Sequence, residues 1–174
     1  LNQEKPSSFW TGHLHIAMAP TKNMDRVEWF AEKATEIGFD ELTFLNCRFS
    51  ERKVLKTERV DKILVSAIKQ SLKPVKPVLN EMTDFARFVK LGHPGQKFIA
   101  HCYNDLGGEK PLLKHVVKPG ENVVVMIGPE GDFSREEVQL AMDYGFQSIS
   151  LGQSRLRTET AALVACHILN LVNT

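Results

Sequence analysis

Apolar positions along the chain follow two spacings, one typical of helices and one typical of strands. In residues 25–38 (DRVEWFAEKATEIG) the apolar side chains recur every three or four positions, and Gly38 is suited to end a helix. Residues 121–128 (ENVVVMIG) contain a short unbroken apolar run, which predicts a buried strand. The two spacings alternate along nearly the whole chain, so strands and helices are expected to alternate as well.

The full pattern predicts six strands and six helices. The predicted strands are 13–19, 41–46, 76–80, 97–103, 121–128 and 146–152. The predicted helices are 25–38, 58–72, 82–92, 111–118, 134–145 and 158–172. Ser134 and Glu137 form an S-x-x-E capping box where the fifth helix begins. This alternation favours an α/β fold, with a mainly parallel sheet and helices on both faces, in a single domain over residues 1–174.

Composition narrows the class of protein without naming an activity. Of the 174 residues, 43% are hydrophobic and 25% are charged, which excludes a disordered chain and a membrane span. The formal net charge is +1, so a nucleic-acid partner must meet a local basic patch or another domain. Three widely spaced cysteines are expected to be buried free thiols in a reducing cytoplasm. The opening stretch LNQEKPSSFW is polar and lacks an initiator methionine, as expected of part of a longer protein.

Two glycine-bearing loops follow apolar runs and lead directly into helices. Their sequences are IGPEGDFSREEV, residues 127–138, and LGQSRLRTETAAL, residues 151–163. Ligands of parallel sheets bind beyond the carboxyl ends of the strands, and both loops are expected there. Glycine allows the backbone to approach a ligand closely, and a helix N-terminus offers free N–H groups. The alternative is a pair of ordinary strand-to-helix turns.

The common nucleotide-binding and hydrolase motifs are absent from the sequence. It contains no G-x-G-x-x-G after a strand, no G-x-x-x-x-G-K-[ST] and no G-x-S-x-G. The first loop instead carries Glu130 and Asp132, which suit a cationic or hydroxyl-rich ligand better than a polyphosphate. S-Adenosyl-L-methionine, with its sulfonium, amino group and ribose hydroxyls, fits that description.

Taken together, the two loops resemble the signature of the RsmE family, the 16S ribosomal RNA uridine-N3 methyltransferases of the SPOUT superfamily. Residues 25–52 and 67–77 resemble earlier blocks of the same family, so the resemblance covers nearly the whole chain. It implies a C-terminal trefoil knot, a homodimer and S-adenosyl-L-methionine as cofactor. It also implies a cytoplasmic enzyme that methylates 16S rRNA in the small ribosomal subunit, without a metal and away from the membrane. The N-terminal PUA-like RNA-binding domain of family members is expected to be absent from this chain.

The resemblance implies which residues line the cofactor pocket, and the chemistry of methyl transfer and the positions of other residues suggest further candidates. Those implied to line the cofactor pocket are His101, Ile127, Gly128, Pro129, Glu130, Gly131, Leu151, Gly152, Leu156, Arg157, Thr158 and Thr160. Arg157 is the candidate for the positive charge that stabilises a deprotonated uracil ring, and Glu130 is a candidate base or cofactor anchor. A salt bridge from Arg157 to Glu159 or Glu130 is the alternative. The candidates for RNA contact are Ser50, Arg52, Gln70 and Lys73, whose alternative is an ordinary solvated surface.

Two positions depart from the family pattern. Asp132 stands where a second glycine is usual, which is expected to alter the loop conformation. Lys73 stands where an arginine is usual, which replaces a bidentate phosphate ligand by a point charge. His13 and His15 alternate along one strand, but no third metal ligand is evident. The competing functions are a SPOUT methyltransferase acting on transfer RNA or on a ribose 2′-hydroxyl, and a non-catalytic RNA-binding or assembly module.

Overall fold

A computed structural model describes residues 12–174, and the segment 1–11, with its polar opening stretch, lies outside the described residues. The strands are β1 Leu14–Met18, β2 Glu41–Asn46, β3 Val78–Leu79, β4 Thr83–Asp84, β5 Gln96–Ala100, β6 Val123–Ile127 and β7 Gln147–Ile149. The helices are α1 Met24–Ile37, α2 Thr57–Ser71, α3 Phe85–Lys90, α4 Leu113–Val116, α5 Arg135–Asp143 and α6 Thr158–Val172. Single-domain organisation over 1–174 stays a prediction.

The strands form a parallel sheet in the order β3-β2-β1-β6-β5-β7, with β4 pairing beside the end of β2. Every strand pairing among residues 12–174 is parallel, which confirms the predicted sheet type. Because all the strands run the same way, the loops that follow them meet at one edge of the sheet. We call this the carboxyl edge, and the opposite side the amino edge.

Helices cover both faces of the sheet, as the unbroken apolar runs predict. On β1, Leu14, Ile16 and Met18 point into a core shared with α1, α2 and α6. The alternate residues Ala17 and Ala19 point into a second core built largely from α3 and α5. Apolar side chains on both faces are the reason that β1 and β6 contain no exposed position.

All the predicted strands and helices are found, and some of their ends differ from the predicted ends. The predicted helix over 82–92 is wrong in its first turn, because Thr83 and Asp84 pair with β2 instead. Cys102 is exposed, whereas a buried thiol is predicted, because β5 ends at Ala100 and the chain turns to the surface. The capping box at Ser134 and Glu137 is confirmed in both of its hydrogen bonds. Within residues 12–174, no helix has the length and apolar character that a membrane span requires.

Candidate functional site

The loops at the carboxyl edge form the candidate site. The first loop is residues 128–133, between β6 and α5, and the second loop is residues 150–157, between β7 and α6. β5 lies between β6 and β7 in the sheet, so the strands alone do not bring these loops into contact. Their approach has to come from the path of the second loop itself.

A buried hydrogen bond joins the two loops. The Thr158 hydroxyl, at the start of α6, donates to the Gly128 carbonyl oxygen at 3.0 Å. Thr158 is 5% exposed, so this bond is shielded from water. The space at Gly128 is tight, since an added Cβ would lie 3.1 Å from the Phe133 backbone nitrogen. The bond therefore holds the start of α6, which directly follows the second loop, against the first loop. That the bends of the two loops enclose one cofactor stays a prediction.

Asp132 adopts a backbone conformation that favours glycine. Its φ is 68°, in the left-handed region, where aspartate is tolerated better than most residues. Its carboxylate accepts hydrogen bonds from the backbone N–H groups of Phe133, at 2.7 Å, and Cys102, at 2.9 Å. The second bond ties the first loop to the segment that follows β5. The Asp132 side chain thus makes two contacts that glycine could not make, and the expected difference in loop conformation from the family pattern stays a prediction.

The second loop is fixed by hydrogen bonds at its first residue, and its backbone is uncovered at Gly152. Ser150 is bonded in both directions to the segment before α4, through the Pro111 carbonyl at 2.8 Å and the Leu113 N–H at 3.0 Å. Gly152 has a φ of 133° and no atom within 4 Å of the position a Cβ would take. The backbone is therefore open at this point, and a flat ligand can approach it closely.

Arg157 lies where the two loops meet α6. It is the N-cap residue of α6 and its side chain is exposed. Neither alternative salt bridge is formed, because Glu159 lies 3.5 Å from Arg26 and Glu130 accepts from the Lys22 N–H at 3.1 Å. A cation at a helix N-terminus opposes the helix dipole and does not contribute to stability. Its guanidinium, which has no ion pair within residues 12–174, is free to meet an anionic group.

Glu130 links the first loop to the loop after β1. It is exposed, and one carboxylate oxygen is occupied by the Lys22 N–H. Arg52 supports the same connection from the other side, donating to the Thr21 carbonyl at 3.1 Å and the Lys22 carbonyl at 2.5 Å. The remaining carboxylate oxygen of Glu130 is available at the carboxyl edge. The role of Glu130 as a base or cofactor anchor stays a prediction.

The His101 imidazole is occupied within the protein. Nδ1 accepts from the Tyr103 N–H at 3.1 Å, which leaves Nε2–H to donate to the Ser148 hydroxyl at 2.8 Å. Burial, reinforced by Lys110, lowers the pKa of His101 to about 4. The neutral ring therefore holds the segment after β5 in place, and the predicted cofactor contact does not come from a free imidazole.

Acid is expected to destabilise the fold through His101 and His15. Burial also lowers the pKa of His15 to about 4. As pH falls below 6.5, the unfolded chain binds protons at these histidines and the folded chain does not, so stability falls from pH 7 to pH 5. Each site is expected to contribute up to about 2 kcal/mol over that range. Urea unfolding at the two pH values measures this loss.

Replacing the two histidines separates this effect from other titrations. In a His15→Gln, His101→Gln variant, the loss of stability between pH 7 and pH 5 is expected to be much smaller, whatever the starting stability. The usual pKa of carboxylates lies below this range. An equal loss in the variant and the parent protein would contradict the assignment.

The structure separates the four RNA candidates into two groups. Ser50 and Arg52 follow β2 at the carboxyl edge, whereas Gln70 and Lys73 lie at the far end of α2. The 15 residues of α2 place the second group about 20 Å away, towards the amino edge. Within one copy of the chain the two groups cannot contribute to one compact site.

Ser50 is also unsuited to direct RNA contact. It is 4% exposed, and its hydroxyl accepts from the Cys47 N–H at 3.0 Å. It therefore stabilises the turn after β2 and presents no group to a ligand. The sequence could not show this, because a serine between Phe49 and Glu51 fits a surface turn and a surface contact equally well.

A separate open cavity of about 760 Å³ lies at the amino edge, and none of its lining residues belongs to either loop. His13, His15 and Glu41 line part of it, with His13 Nε2 bonded to a Glu41 carboxylate oxygen at 2.9 Å. Among the described residues, no group of three His, Cys, Asp or Glu side chains is placed to hold a metal ion. Polar and apolar side chains both line the cavity, which lies at the opposite edge of the sheet from the loop junction.

Known proteins match this chain over most of its length. The RNA methyltransferase domain family matches residues 9–170. Ribosomal RNA small subunit methyltransferase E of Buchnera aphidicola is 30% identical over 160 residues, which cover 88% of this chain and 61% of that protein. The chain thus spans about three fifths of the length of this curated relative.

Two solved structures share the fold. A probable rRNA-methyltransferase from Porphyromonas gingivalis superposes with a TM-score of 0.86 at 40% identity, covering 94% of this chain and 70% of that one. A putative methyltransferase from Legionella pneumophila, solved with bound cofactor SAM, gives 0.85 at 28% identity, covering 94% and 67%. The predicted resemblance to the RsmE family is confirmed by the family match and by the Buchnera relative. The chain belongs to the RNA methyltransferase domain family.

Proposed function

We propose that this chain is the catalytic domain of an S-adenosyl-L-methionine-dependent methyltransferase that modifies N3 of a uridine in 16S rRNA. The observation that carries the proposal is the buried bond between Thr158 and Gly128, because it holds the end of the second loop against the first loop. The Legionella relative was solved with the same cofactor. The Buchnera relative is named for the small-subunit rRNA.

The geometry of the loops fits this cofactor. Gly152 leaves the backbone bare on the second loop, where an adenine or ribose can lie against peptide groups. Glu130 and Asp132 place negative charge on the first loop, which suits a sulfonium. When bound, the cofactor supplies an electrophilic methyl group. The protein then has to position the RNA base and assist the loss of its N3 proton.

Arg157 is proposed to stabilise the base as its proton leaves. A neutral uracil carries hydrogen on N3 and has no free lone pair there, so methylation requires the N3–H bond to break. The electrons of that bond form the new bond to carbon, and negative charge develops on the ring during transfer. The unpaired guanidinium of Arg157 can meet that charge. Glu130, through its second oxygen, is proposed to take the proton directly or to hold a water that does.

We also propose a trefoil knot in the C-terminal segment. Two contacts support it: Ser150 bonds to the segment before α4 as the second loop passes it, and α6 then packs against α1. The Asn170 side chain donates to the Gly38 carbonyl at 2.8 Å, which fixes the end of α6 on that side of the sheet. An experimental chain trace in which the C-terminal segment passes through no loop of the chain would contradict the knot.

A homodimer is proposed to form through α6. The outer side of this helix carries partly exposed Val164 and Ile168 and the 62% exposed Leu171. Apolar side chains in a continuous stripe are typical of a surface that is covered by a partner. Sedimentation equilibrium tests this, and a monomer at micromolar concentration would contradict it.

Since the proposed substrate is ribosomal, the proposed location is the cytoplasm.

Cofactor binding and methyl transfer test the proposed function in two steps. Isothermal titration of the chain with S-adenosylhomocysteine is expected to give saturable 1:1 binding. Small ribosomal subunits from a strain that lacks this methylation are expected to accept a tritiated methyl group, found as N3-methyluridine by mass spectrometry. Binding without transfer would favour an RNA-binding or assembly module. A methylated transfer RNA or ribose 2′-hydroxyl would identify one of the other SPOUT activities.

A further inference from the structure

The loop after β2 carries more positive charge than the rest of the chain. It comprises residues 47–56 (CRFSERKVLK), which we call the basic loop. Four of its ten residues are Arg or Lys and one is Glu, a net charge of +3, whereas the whole chain has +1. The basic loop starts at the carboxyl edge, so this charge lies beside the candidate cofactor site.

The basic loop contacts both α5 and the first loop. The Arg48 backbone N–H donates to the Glu137 carboxylate at 3.0 Å, and the Glu137 side chain also forms the capping box of α5. A Cβ added to Gly131 would stand 3.3 Å from the Phe49 Cβ, so Phe49 lies close to the first loop. Because of these contacts, Phe49 has a defined place next to the proposed methyl-transfer site.

Phe49 is half exposed at this place. Its exposed fraction is 46%, although β2 before it is almost fully buried. A single exposed aromatic is common on protein surfaces and by itself indicates nothing. Here it belongs to the basic loop and lies beside the candidate methyl-transfer site, and a flat aromatic face beside positive charge is typical of single-stranded RNA contacts.

The cationic side chains of the basic loop differ in whether they are already hydrogen-bonded within the protein. Lys53 donates to the carbonyls of Cys47 and Arg48, each at 3.3 Å, and Arg52 is bonded to the loop after β1. These two side chains hold the basic loop in shape. The Arg48 guanidinium is exposed and has no hydrogen bond or ion pair within the part of the chain that the structure describes. Arg48, which is adjacent to Phe49 in the chain, is thus a cation that can reach a phosphate.

We propose that Phe49 is the surface on which a base of the substrate RNA stacks, and that Arg48 binds an adjoining phosphate. The proposal rests on the proposed function, because it places this base beside the nucleotide that is methylated. Stacking on an aromatic ring tolerates any base, whereas Arg48 contributes a charge contact. The pair would therefore hold single-stranded RNA at the entrance of the site, and the site itself would select the uridine.

Binding of a short fluorescein-labelled oligouridylate, followed by anisotropy, tests the proposal without requiring catalysis. Phe49→Ala is expected to weaken binding about tenfold or more, the loss typical of one stacked base, and Phe49→Trp is expected to retain it. Arg48→Ala is expected to weaken binding and to reduce the dependence of log affinity on log salt by about one ion. Tyr144→Ala is the matched control, because Tyr144 is 42% exposed but lies at the end of α5, near the amino edge.

The outcomes distinguish this inference from the proposed function. Unchanged binding by Phe49→Ala, or an equal loss in Tyr144→Ala, would overturn the role of Phe49. Titration with S-adenosylhomocysteine is expected to give the same affinity for all four variants, since none of these side chains belongs to either loop. If the parent protein bound no S-adenosylhomocysteine, the proposed function would fail while the RNA measurement still tested Phe49.

Discussion

Arg157→Ala is expected to lower the rate of methyl transfer by about 100-fold or more and to leave the fold unchanged. Removing one group that stabilises developing negative charge commonly lowers kcat by about 100- to 1,000-fold. The side chain is exposed and has no partner within residues 12–174, so its loss opens no cavity and breaks no ion pair. Single-turnover transfer of a tritiated methyl group to small ribosomal subunits measures the rate, and circular dichroism measures the fold.

Arg155→Ala provides the matched control for Arg157. Arg155 is an exposed arginine of the same loop, two residues earlier, so both variants lose one positive charge near the RNA. A general effect of charge would lower both rates and would disappear at saturating RNA. Arg157→Lys, which keeps the charge without the planar guanidinium, is expected to retain part of the activity. A near-normal rate in folded Arg157→Ala would remove this residue from the mechanism.

Thr158→Val is expected to weaken binding of S-adenosylhomocysteine by about tenfold and to lower the melting temperature. Valine has nearly the shape of threonine but cannot donate to the Gly128 carbonyl. Leaving that buried acceptor without a partner costs about 1–3 kcal/mol, part of which falls on the arrangement of the two loops. Isothermal titration measures the affinity, and differential scanning calorimetry measures the melting temperature.

Two further variants show whether the loss belongs to the junction of the loops. Thr158→Ser keeps the hydroxyl and is expected to bind S-adenosylhomocysteine nearly as the parent protein does. Thr35→Val removes a buried hydroxyl that donates to the Ala31 carbonyl at 2.7 Å within α1, far from either loop. It is expected to lower stability and to leave affinity unchanged. If Thr158→Val lowered only stability, the bond would be structural and would not shape the site.

The sequence predicts the elements well where one physical signal dominates. β2 and the bounds of α6 follow closely from apolar period and flanking polar residues, and α5 follows from its capping box. Short elements are less predictable because their own residues do not stabilise them. β4 consists of two residues that pair with β2, and this pairing replaces the first turn of the predicted helix.

For the candidate site, the sequence by itself determined the two loops, the family they belong to and the residue types that cofactor and RNA chemistry require. Local patterns suffice for this, because the physical role of a glycine, a capping residue or an arginine such as Arg157 depends on its own position in a loop or at a helix end. Only the tertiary structure decided which of these residues meet. It joined Thr158 to Gly128, paired Glu159 with Arg26, buried Ser50 and placed Gln70 at the other end of α2. Contacts between residues far apart in sequence depend on how elements pack, and the spacing of residues along the chain carries no record of that packing.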